Sequence, residues 1–284
     1  MKETGYRLLD CGHGRRLEEL GGVVVSRPAP AADFAPGLGD VVWRRAGLAF
    51  DRGRGWEGGA PEEWSVASGG VRLLLRPAAQ GQIGMFPEHA AVADRVVELI
   101  AALFPAGPLA ALNLFAHTGL LSLRLAAARS GISVAHVDAA RSAVRQAGEN
   151  AALSGLEDAG IRWLVDDALE FMQREIRRGR NYNVIAADPP SFGRAGKGRR
   201  EWKLERDLPE FLETAARLFP PGAGLFCLTC HSGGWTAGRL SAIVRDAFPG
   251  WTVESGALEL RSAAGGKNLP AGIAAYAWKK DGPG

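Results

Sequence analysis

The sequence predicts an α/β protein with an open, largely parallel sheet, preceded by a small β-rich region. An apolar run from Ala110 to Phe115 is followed by a Thr118-Gly119 turn and an alanine- and leucine-rich segment, as in strand, turn and helix. Three later strand-like runs each end on an aspartate. Residues before about position 80 are instead rich in Gly, Pro, Trp and Arg and lack helical periodicity.

The run from Ala110 to Phe115 has turn residues on both sides, as expected of a strand buried on both faces. Thr118 is a suitable N-cap for the helix that follows to about Arg129. A glycine turn between strand and helix lets a ligand approach backbone N–H groups closely. The turn holds one glycine and not the three of the dinucleotide fingerprint, so the motif alone is weakly specific.

The acids come at the ends of the next three predicted strands. Ser133 to Val137 leads to Asp138, Ile161 to Val165 leads to Asp166-Asp167, and Tyr182 to Ala187 leads to Asp188. Open α/β sheets bind ligands at the carboxyl ends of their strands, and an acid after the second strand suits ribose hydroxyls. The alternative is that each aspartate only caps the next helix.

The composition argues against a membrane-spanning protein and against a disulfide-rich protein. The chain has 284 residues, 46% hydrophobic and 23% charged, with a net charge of +3, and no apolar run could span a bilayer. We expect a cytoplasmic protein. Three cysteines do not make a disulfide framework. Cys227 and Cys230 are three apart on a predicted strand, Gly224 to Cys230, and should face opposite sides, so we expect no metal between them.

The chain divides into a β-rich region, residues 1–80, and a larger α/β domain, residues 81–284. The loop from Gln80 to His89 joins them and could close over the site at the end of the first strand. The predicted short strands of the first region are Val23 to Val25, Val41 to Trp43, Trp64 to Val66 and Val71 to Leu75.

The rest of the larger domain alternates helices and strands. Arg141 to Leu153 is predicted helical with Asn150 on its polar side, and Asp167 opens another helix. The further predicted helices are Glu88 to Leu103, Ala168 to Arg177, one that follows the basic loop and ends at about Phe219, and Thr236 to Phe248. The further predicted strands are Trp251 to Leu260 and Ile273 to Lys279.

A basic loop follows Asp188-Pro189-Pro190. Phe192 and Trp202 lie at its two ends, and its cations are Arg194, Lys197, Arg199, Arg200 and Lys203. Cations beside a strand-end site could hold phosphates while an aromatic ring stacks a base. The alternative is an ordinary solvated loop.

Together these motifs resemble class I S-adenosylmethionine-dependent methyltransferases. The shared segments are Leu112 to Gly119, Asp138, Asn150 to Gly155, Asp166 to Ala168, Asp188 to Pro190, Trp202 to Glu205 and Gly84 to Glu88, with an opening like Tyr6 to Asp10. The sequence is most similar to the bacterial family of large-subunit rRNA cytosine-5 methyltransferases and its relatives. The resemblance implies a Rossmann-like seven-stranded sheet and S-adenosyl-L-methionine as cofactor.

The resemblance also implies roles for individual residues. Asn113, Phe115, Ala116, Thr118 and Gly119 would surround the methionine part of the cofactor, and Asp138 would hold its ribose. The remaining cofactor contacts would come from Asp167, Ala168, Asp188 and Pro189, with Gly84, Met85 and Phe86 closing over it. Pro190, Phe192 and the five cations would bind substrate. Where the family usually has a lysine after Asp-Pro-Pro, this chain has Ser191.

Two routes of methyl transfer remain open. Cys230 could add to C6 of a pyrimidine and make C5 nucleophilic, or Asp188-Pro-Pro could orient an amino group or ring for direct attack. Neither needs a metal. The sequence therefore predicts a methyltransferase acting on RNA, specifically on an rRNA pyrimidine. The alternatives are a methyltransferase of a protein or small molecule, a nucleotide-dependent oxidoreductase and an inactive RNA-binding protein.

Overall fold

The computed structural model describes residues 5–193 and 201–280. In that part of the chain no helix is both long and apolar enough to cross a bilayer. The helices are α1 (Asp40–Trp43), α2 (His89–Leu103), α3 (Leu120–Ala128), α4 (Arg141–Leu153), α5 (Ala168–Arg177), α6 (Leu204–Ala216) and α7 (Ala237–Ala247). The strands of the first region are β1 (Tyr6–Gly12), β2 (Arg15–Leu20), β3 (Val23–Pro28), β4 (Leu48–Asp51), β5 (Gly55–Gly58), β6 (Trp64–Ser68) and β7 (Val71–Leu75). The later strands are β8 (Leu109–Leu114), β9 (Ile132–Asp138), β10 (Ile161–Val165), β11 (Val184–Ala187), β12 (Phe192–Gly193), β13 (Trp202–Lys203), β14 (Gly224–Cys230), β15 (Thr252–Leu260) and β16 (Leu269–Lys279).

Seven strands form the central sheet, in the order β10-β9-β8-β11-β14-β16-β15. The five from β10 to β14 are parallel, and β16 runs antiparallel to both of its neighbours. The predicted α/β fold with its seven-stranded, Rossmann-like sheet is therefore confirmed. Because β8 is the middle one of the five parallel strands, the turn after it lies at the middle of their carboxyl edge.

Helices cover both faces of this sheet because its central strands are apolar on both sides. Along β8, Leu112 and Leu114 pack with residues of α5, α6 and α7, whereas Ala111 packs on the other face with residues of α2 and α3. All three side chains are fully buried. The prediction of a doubly buried strand is confirmed.

The first region consists of two smaller sheets. One has the order β1-β2-β3-β4-β5, and the hairpin β6–β7 forms the other. Leu73 and Leu75 of the hairpin share an apolar cluster with Leu123 of α3 and Ala151 of α4. The β-rich character of the region is confirmed, and the domain boundary between residues 80 and 81 stays a prediction.

Three local predictions differ from the structure. Val41 to Trp43 lies in the short helix α1 and not in a strand, because no strand of the described chain pairs with it. Thr118 does not cap α3: Gly119 precedes the helix with φ 92°, and no side chain caps it. Asn150 is fully buried, not on a polar face, because it bonds the backbone of neighbouring elements.

Candidate active site

The carboxyl ends of β8, β9, β10 and β11 place the predicted residues side by side. The His117 amide donates to Asp138 Oδ2 at 2.8 Å, and the Asp166 amide donates to the Asp138 carbonyl at 3.1 Å. The Asp188 amide donates to the Leu114 carbonyl at 3.3 Å. The structure thus brings the turn after β8 and the acids after the next strands to one edge of the sheet.

The turn after β8 has an unusual backbone. Phe115 and His117 have φ values of 54° and 49°, in the left-handed region that side chains other than glycine rarely adopt. Each such residue costs about 1 kcal/mol or more, and such strain is concentrated at functional sites. The Ala116 amide donates to the Val137 carbonyl at 3.1 Å, and Asp138 holds the next amide. These bonds hold the turn against the end of β9.

The loop before α2 lies against this turn, near the end of β8 as predicted. Thr118 Oγ1 donates to the Gly84 carbonyl at 2.6 Å, and the rings of Phe86 and His117 lie 4.9 Å apart. Met85 is buried between the two segments. The hydroxyl of Thr118 therefore joins two loops and does not cap a helix.

Asp138 and Asp167 both accept backbone hydrogen bonds. Asp138 Oδ1 accepts from the Ala140 amide at 2.8 Å, and Asp167 Oδ1 accepts from the amides of Leu169 and Glu170 at 3.0 Å each. Asp167 is the N-cap of α5, and Ala168 is buried beneath it. A carboxylate offers about four acceptor positions, so these bonds leave both side chains able to bind a ligand.

A small cavity, here the edge cavity, lies between the two loops. It is lined by Met85, Phe86, His89, Val92, Asn113, Phe115, Ala116, His117, Thr118, Gly119, Leu120, Leu121, Ala186, Ala187, Asp188, Cys227 and Thr229. Asn113 also donates through Nδ2 to Ser122 at 2.9 Å, and Ser122 bonds His136. Seven predicted cofactor contacts between Met85 and Gly119 line this cavity together with Asp188. The other predicted contacts do not line it: Gly84, Asp138, Asp167, Ala168 and Pro189.

Asp188 forms a cluster with two histidines, here the histidine cluster. His89 Nε2 lies 3.3 Å from Asp188 Oδ2, and His231 Nε2 lies 3.1 Å from Asp188 Oδ1. The two Nε2 atoms are 3.3 Å apart. Thr229 also donates to Asp188 Oδ1. The carboxylate is therefore held from three sides at the end of β11.

The electrostatics of the histidine cluster keep Asp188 ionised. Burial opposes its charge, but the two histidines outweigh that effect and hold the pKa of Asp188 well below its usual range. Burial likewise disfavours a charged His231, yet Asp188 raises the pKa of His231 to about 9. Burial lowers the pKa of the adjacent His117. The carboxylate of Asp188 is therefore ionised and lies beside a His231 ring whose protonated form it stabilises.

The two cysteines of β14 face opposite sides, as predicted. Cys227 packs with the cluster that contains α2, and Cys230 packs with the cluster that contains α6 and α7. Cys230 is 2% exposed and does not line the edge cavity, and burial raises the pKa of its thiol. It lines a larger cleft, here the His231 cleft, together with His231, Glu88, Arg16, Trp235 and residues 28–31 and 269–273.

Phe192 borders a second groove, here the Phe192 groove, with a volume of about 400 Å³. Its lining also includes Ser191, Lys203, Arg206, Ser232 and Trp235. Ser191 Oγ lies 2.5 Å from Ser232 Oγ, so the residue that replaces the family lysine joins the loops after β11 and β14. Pro189 is buried, and the Pro190 carbonyl accepts from Trp202 Nε1 at 2.7 Å.

The predicted cations divide between described and undescribed parts of the chain. Lys203 lies in β13, with its ammonium 3.7 Å from Glu201. Arg194, Lys197, Arg199 and Arg200 lie outside the described residues. Their predicted role stays a prediction.

Sequence reasoning missed His89, His117 and Thr229 at this site. The chain contains five histidines, and three of them, His89, His117 and His231, meet at the sheet edge. The sequence does offer a signal, since each of these three histidines stands within or beside one of the motifs described above. Their proximity depends on the fold, because His89 and His231 are 142 positions apart.

The residues present fit S-adenosyl-L-methionine by the chemistry of their donors. Asp138 and Asp167 offer carboxylate oxygens for ribose hydroxyls and an adenine amino group. The lining contributed by Met85, Phe86 and Phe115 is apolar and suits the methionine chain. The ionised Asp188 lies at the same cavity and suits a cationic sulfonium.

Comparisons with known proteins identify the family. No protein-family model and no curated protein sequence matches the chain. A crystal structure of a SAM-dependent methyltransferase from Agrobacterium tumefaciens is 34% identical, covers 98% of this chain and 92% of its own, and has a TM-score of 0.87. SMU.776, a proposed methyltransferase solved with SAH, is 17% identical over 98% of this chain and 76% of its own, with a TM-score of 0.76. A proposed SAM-dependent methyltransferase from Streptococcus mutans is 15% identical over the same shares, with a TM-score of 0.74. The similarity to these last two structures shows only that the fold is shared. The similarity to the Agrobacterium protein spans nearly the whole chain and agrees with the arrangement of the sheet edge, and the chain therefore belongs to the S-adenosylmethionine-dependent methyltransferases of class I.

Proposed function

We propose that this methyltransferase acts on a base of RNA, specifically an rRNA pyrimidine, and does so in the cytoplasm. The observation that carries the proposal is the exposed ring of Phe192, four residues after Asp188. Phe192 is 71% exposed, which is rare for a large apolar side chain in the described chain. An exposed ring beside a methyl-transfer site can stack an unpaired base.

The surroundings of Phe192 support the same acceptor. The Phe192 groove also contains Trp235, Lys203 and Arg206. Arg239 lies over the ring of Trp235, with its guanidinium carbon 4.1 Å from the ring centroid. In the sequence, four more cations lie between β12 and β13. Aromatic rings interleaved with cations are the pattern expected for a single-stranded nucleic acid.

Each part of the edge has a task in this proposal. Asp138, Asp167 and the turn after β8 would hold the cofactor, which supplies an activated methyl group when it is bound. The loop containing Gly84 to Phe86 excludes water from the edge cavity. Asp188 and its two histidines face the acceptor side and offer acceptors for a base's amino group.

The geometry supports direct transfer to an amino group or ring nitrogen better than the covalent route. A nucleophilic cysteine needs its thiolate form and access to the substrate. Cys230 is buried, and its pKa is raised. Asp188, in contrast, is ionised and lines the edge cavity. We therefore propose Asp188 as the residue that positions the acceptor.

Mass spectrometry of RNA nucleosides tests the proposal. Total RNA from cells that lack the protein should lose one methylated pyrimidine, and the purified protein with S-adenosylmethionine should restore it. Replacement of Phe192 by Ala should weaken RNA binding by about 1–3 kcal/mol, the typical loss for one stacked base. Val41→Ala is the matched control, since Val41 is 69% exposed and lies in the β-rich region. Unchanged RNA in cells lacking the protein would instead favour a protein or a small molecule as acceptor.

A further inference from the structure

We propose that His89, Asp188 and His231 bind a divalent transition metal ion, and that Zn²⁺ fits the three donors best. The site would lie between the edge cavity, which His89 and Asp188 line, and the His231 cleft. It differs from the sequence-based expectation that no metal takes part. It does not depend on RNA being the acceptor.

The donor atoms of the three residues lie close together, within 4.8 Å of one another. The two Nε2 atoms are 3.3 Å apart, and each faces a different oxygen of Asp188, with His89 Nε2 3.3 Å from Oδ2 and His231 Nε2 3.1 Å from Oδ1. Ligands on a tetrahedral ion with bonds of about 2.0–2.1 Å lie roughly 3.3 Å apart, as in Zn²⁺ sites. The two histidine nitrogens therefore have the separation of two ligands on one zinc ion, and the Asp188 carboxylate faces both.

Hydrogen bonds to Asp188 are the alternative arrangement of the cluster. Each Nε2 atom lies within reach of one oxygen of Asp188, and a charged hydrogen bond between nitrogen and a carboxylate is usually about 2.7–2.9 Å long. Cobalt binding distinguishes the two arrangements.

Neighbouring groups orient the donors as the outer partners of a metal site do. With a metal bound, Nδ1 of His231 would donate its proton to the Ala271 carbonyl, and Nε2 would present its lone pair to the ion. Thr229 donates to Asp188 Oδ1 and fixes that carboxylate. Such outer partners typically set the tautomer and the direction of ligand side chains.

Nearby charge also favours a cation. Glu88 lines the His231 cleft, and in the described part of the chain its Oε2 is buried without a hydrogen-bond partner. A divalent ion would balance the two carboxylates of Asp188 and Glu88. The unpartnered oxygen of Glu88 is independent of the distances between the histidines and Asp188.

The remaining coordination position gives the site a role. Three protein ligands leave a fourth position for an exogenous nitrogen or oxygen, as in catalytic zinc sites. His231 lines the cleft that also contains Trp235 and Arg16, so this position can face an incoming acceptor. The metal would hold one acceptor atom and thereby fix the acceptor against the methyl donor.

Cobalt substitution of the full-length, tag-free protein tests the site without any methyl acceptor. We expect one Co²⁺ per chain with the visible absorption of a tetrahedral ion, its displacement by Zn²⁺ and no displacement by Mg²⁺, which prefers oxygen ligands. His89→Gln, His231→Gln and Asp188→Asn should each lower metal affinity by more than the roughly 10- to 100-fold that loss of an outer partner costs.

His13→Asn is the matched control, because His13 is exposed in a β1–β2 turn, and asparagine tolerates its φ of 50°. Thermal melting of each variant checks that it is folded, and His89→Gln alters a side chain at the start of α2 that is not in the core. Failure of the unaltered chain to bind Co²⁺, or tetrahedral binding that survives in both histidine variants, would overturn the proposal. Because no RNA is present, the result does not depend on the proposed acceptor.

Discussion

Asp138 uses both oxygens of its carboxylate to hold the site. Oδ2 accepts from the His117 amide and Oδ1 from the Ala140 amide, each at 2.8 Å. The acid thus fixes the strained turn after β8 and, in the proposed role, also binds the ribose. A helix-capping role alone does not account for the bond to His117, which belongs to a different strand end.

Replacement of Asp138 by Ala should abolish measurable cofactor binding, since it removes the ribose acceptor and frees the turn. The same change should lower the free energy of unfolding by about 1–3 kcal/mol, because two amides lose their acceptor. Calorimetric titration with S-adenosylhomocysteine and urea unfolding measure the two effects. Asp138→Asn keeps one acceptor oxygen, so its cofactor affinity and its free energy of unfolding should lie between those of the unaltered protein and Asp138→Ala. Unchanged affinity in Asp138→Ala would remove Asp138 from the cofactor site.

Cys230 distinguishes the two routes of transfer. Cys230→Ala should keep methyl transfer per folded molecule, because direct transfer does not use the thiol. Cys230→Ser should behave the same, while losing about 1–3 kcal/mol of stability through burial of a hydroxyl. Radiolabelled methyl transfer and urea unfolding are the measurements. A complete loss of transfer in both folded variants would establish the covalent route instead.

Helix α4 holds the hairpin β6–β7 and the turn after β8 together through hydrogen bonds. Asn150 of α4 accepts from the Leu74 amide at 2.7 Å and donates to the Thr118 carbonyl at 2.8 Å. Gln146, one turn earlier, donates to the Leu74 carbonyl at 2.8 Å. The helix thereby connects the β-rich region to the turn that lines the edge cavity.

Asn150→Ala should destabilise the protein by about 2–4 kcal/mol, because two buried backbone groups lose their partners. Urea unfolding measures the change. The matched control is Asn268→Ala, since Asn268 is exposed and bonds Glu259 on the surface. If both variants were equally stable, the buried bonds of Asn150 would contribute nothing measurable.

Helix α5 is joined to the start of β11 by a buried acid. Tyr182 donates to Glu175 Oε2 at 2.7 Å, and Arg178 donates to Oε1 at 2.9 Å. Burial raises the pKa of Glu175, but these two bonds outweigh burial and hold it below its ordinary value. A depressed pKa in the folded state means that Glu175 stabilises the protein above the unfolded-state pKa.

Glu175→Gln should therefore be less stable than the unaltered protein at neutral pH. The stabilisation by Glu175 is lost as the pH falls through the folded-state pKa, so the two proteins should converge in the acid range below about pH 4.5. Urea unfolding between pH 3 and 7, roughly the range in which carboxylates titrate, measures the convergence. A constant difference over that range would show that the charge of Glu175 is irrelevant.

At the scale of the whole molecule, the two ends of the chain meet. Leu8 of β1 pairs with Ser262, and the Ala263 amide donates to the Leu8 carbonyl at 2.9 Å. Cys11 donates through Sγ to the Lys267 carbonyl at 3.4 Å. The β-rich region is thereby attached to the segment between β15 and β16, and residues of the β-rich region and of β16 line the His231 cleft. The cleft is thus built from both regions.

Charge reversal of Arg199 and Arg200 tests the proposed RNA surface as a whole. RNA binding should weaken, and the slope of log affinity against log salt should become shallower by about 1.4, or roughly 0.7 for each lost phosphate contact on a single strand. Fluorescence anisotropy over a salt series is the measurement. Reversal of Arg44 and Arg45 in the β-rich region is the control. An identical slope in the Arg199 and Arg200 variant would indicate a solvated loop without phosphate contacts.

Membership in the methyltransferase family decides between the broad alternatives. It leaves no support for a nucleotide-dependent oxidoreductase or for an inactive RNA-binding protein. It does not decide the cytosine-5 specificity, and the burial of Cys230 favours another acceptor atom.

The sequence by itself determined the larger domain in some detail. The strands Ile161–Val165 and Gly224–Cys230 and the helices Arg141–Leu153 and Ala168–Arg177 have the predicted bounds. Their signals are local: apolar runs, a capping acid and a terminating glycine. The β-rich region was predicted less well, because β2 is charged, and its Glu18 is buried only through the ion pair with Arg27 of β3.

Only the tertiary structure decided how the acceptor side is built. The sequence predicts Thr118 as a helix cap and Asn150 on the polar side of its helix. The structure differs because Thr118 bonds Gly84 and Asn150 bonds Leu74, and both partners lie far away in the sequence. The histidine cluster joins the start of α2 to the ends of β11 and β14. Local patterns record which residues form a strand or a helix, whereas the meeting of donor atoms depends on strand order, which brings distant strand ends to one edge of the sheet.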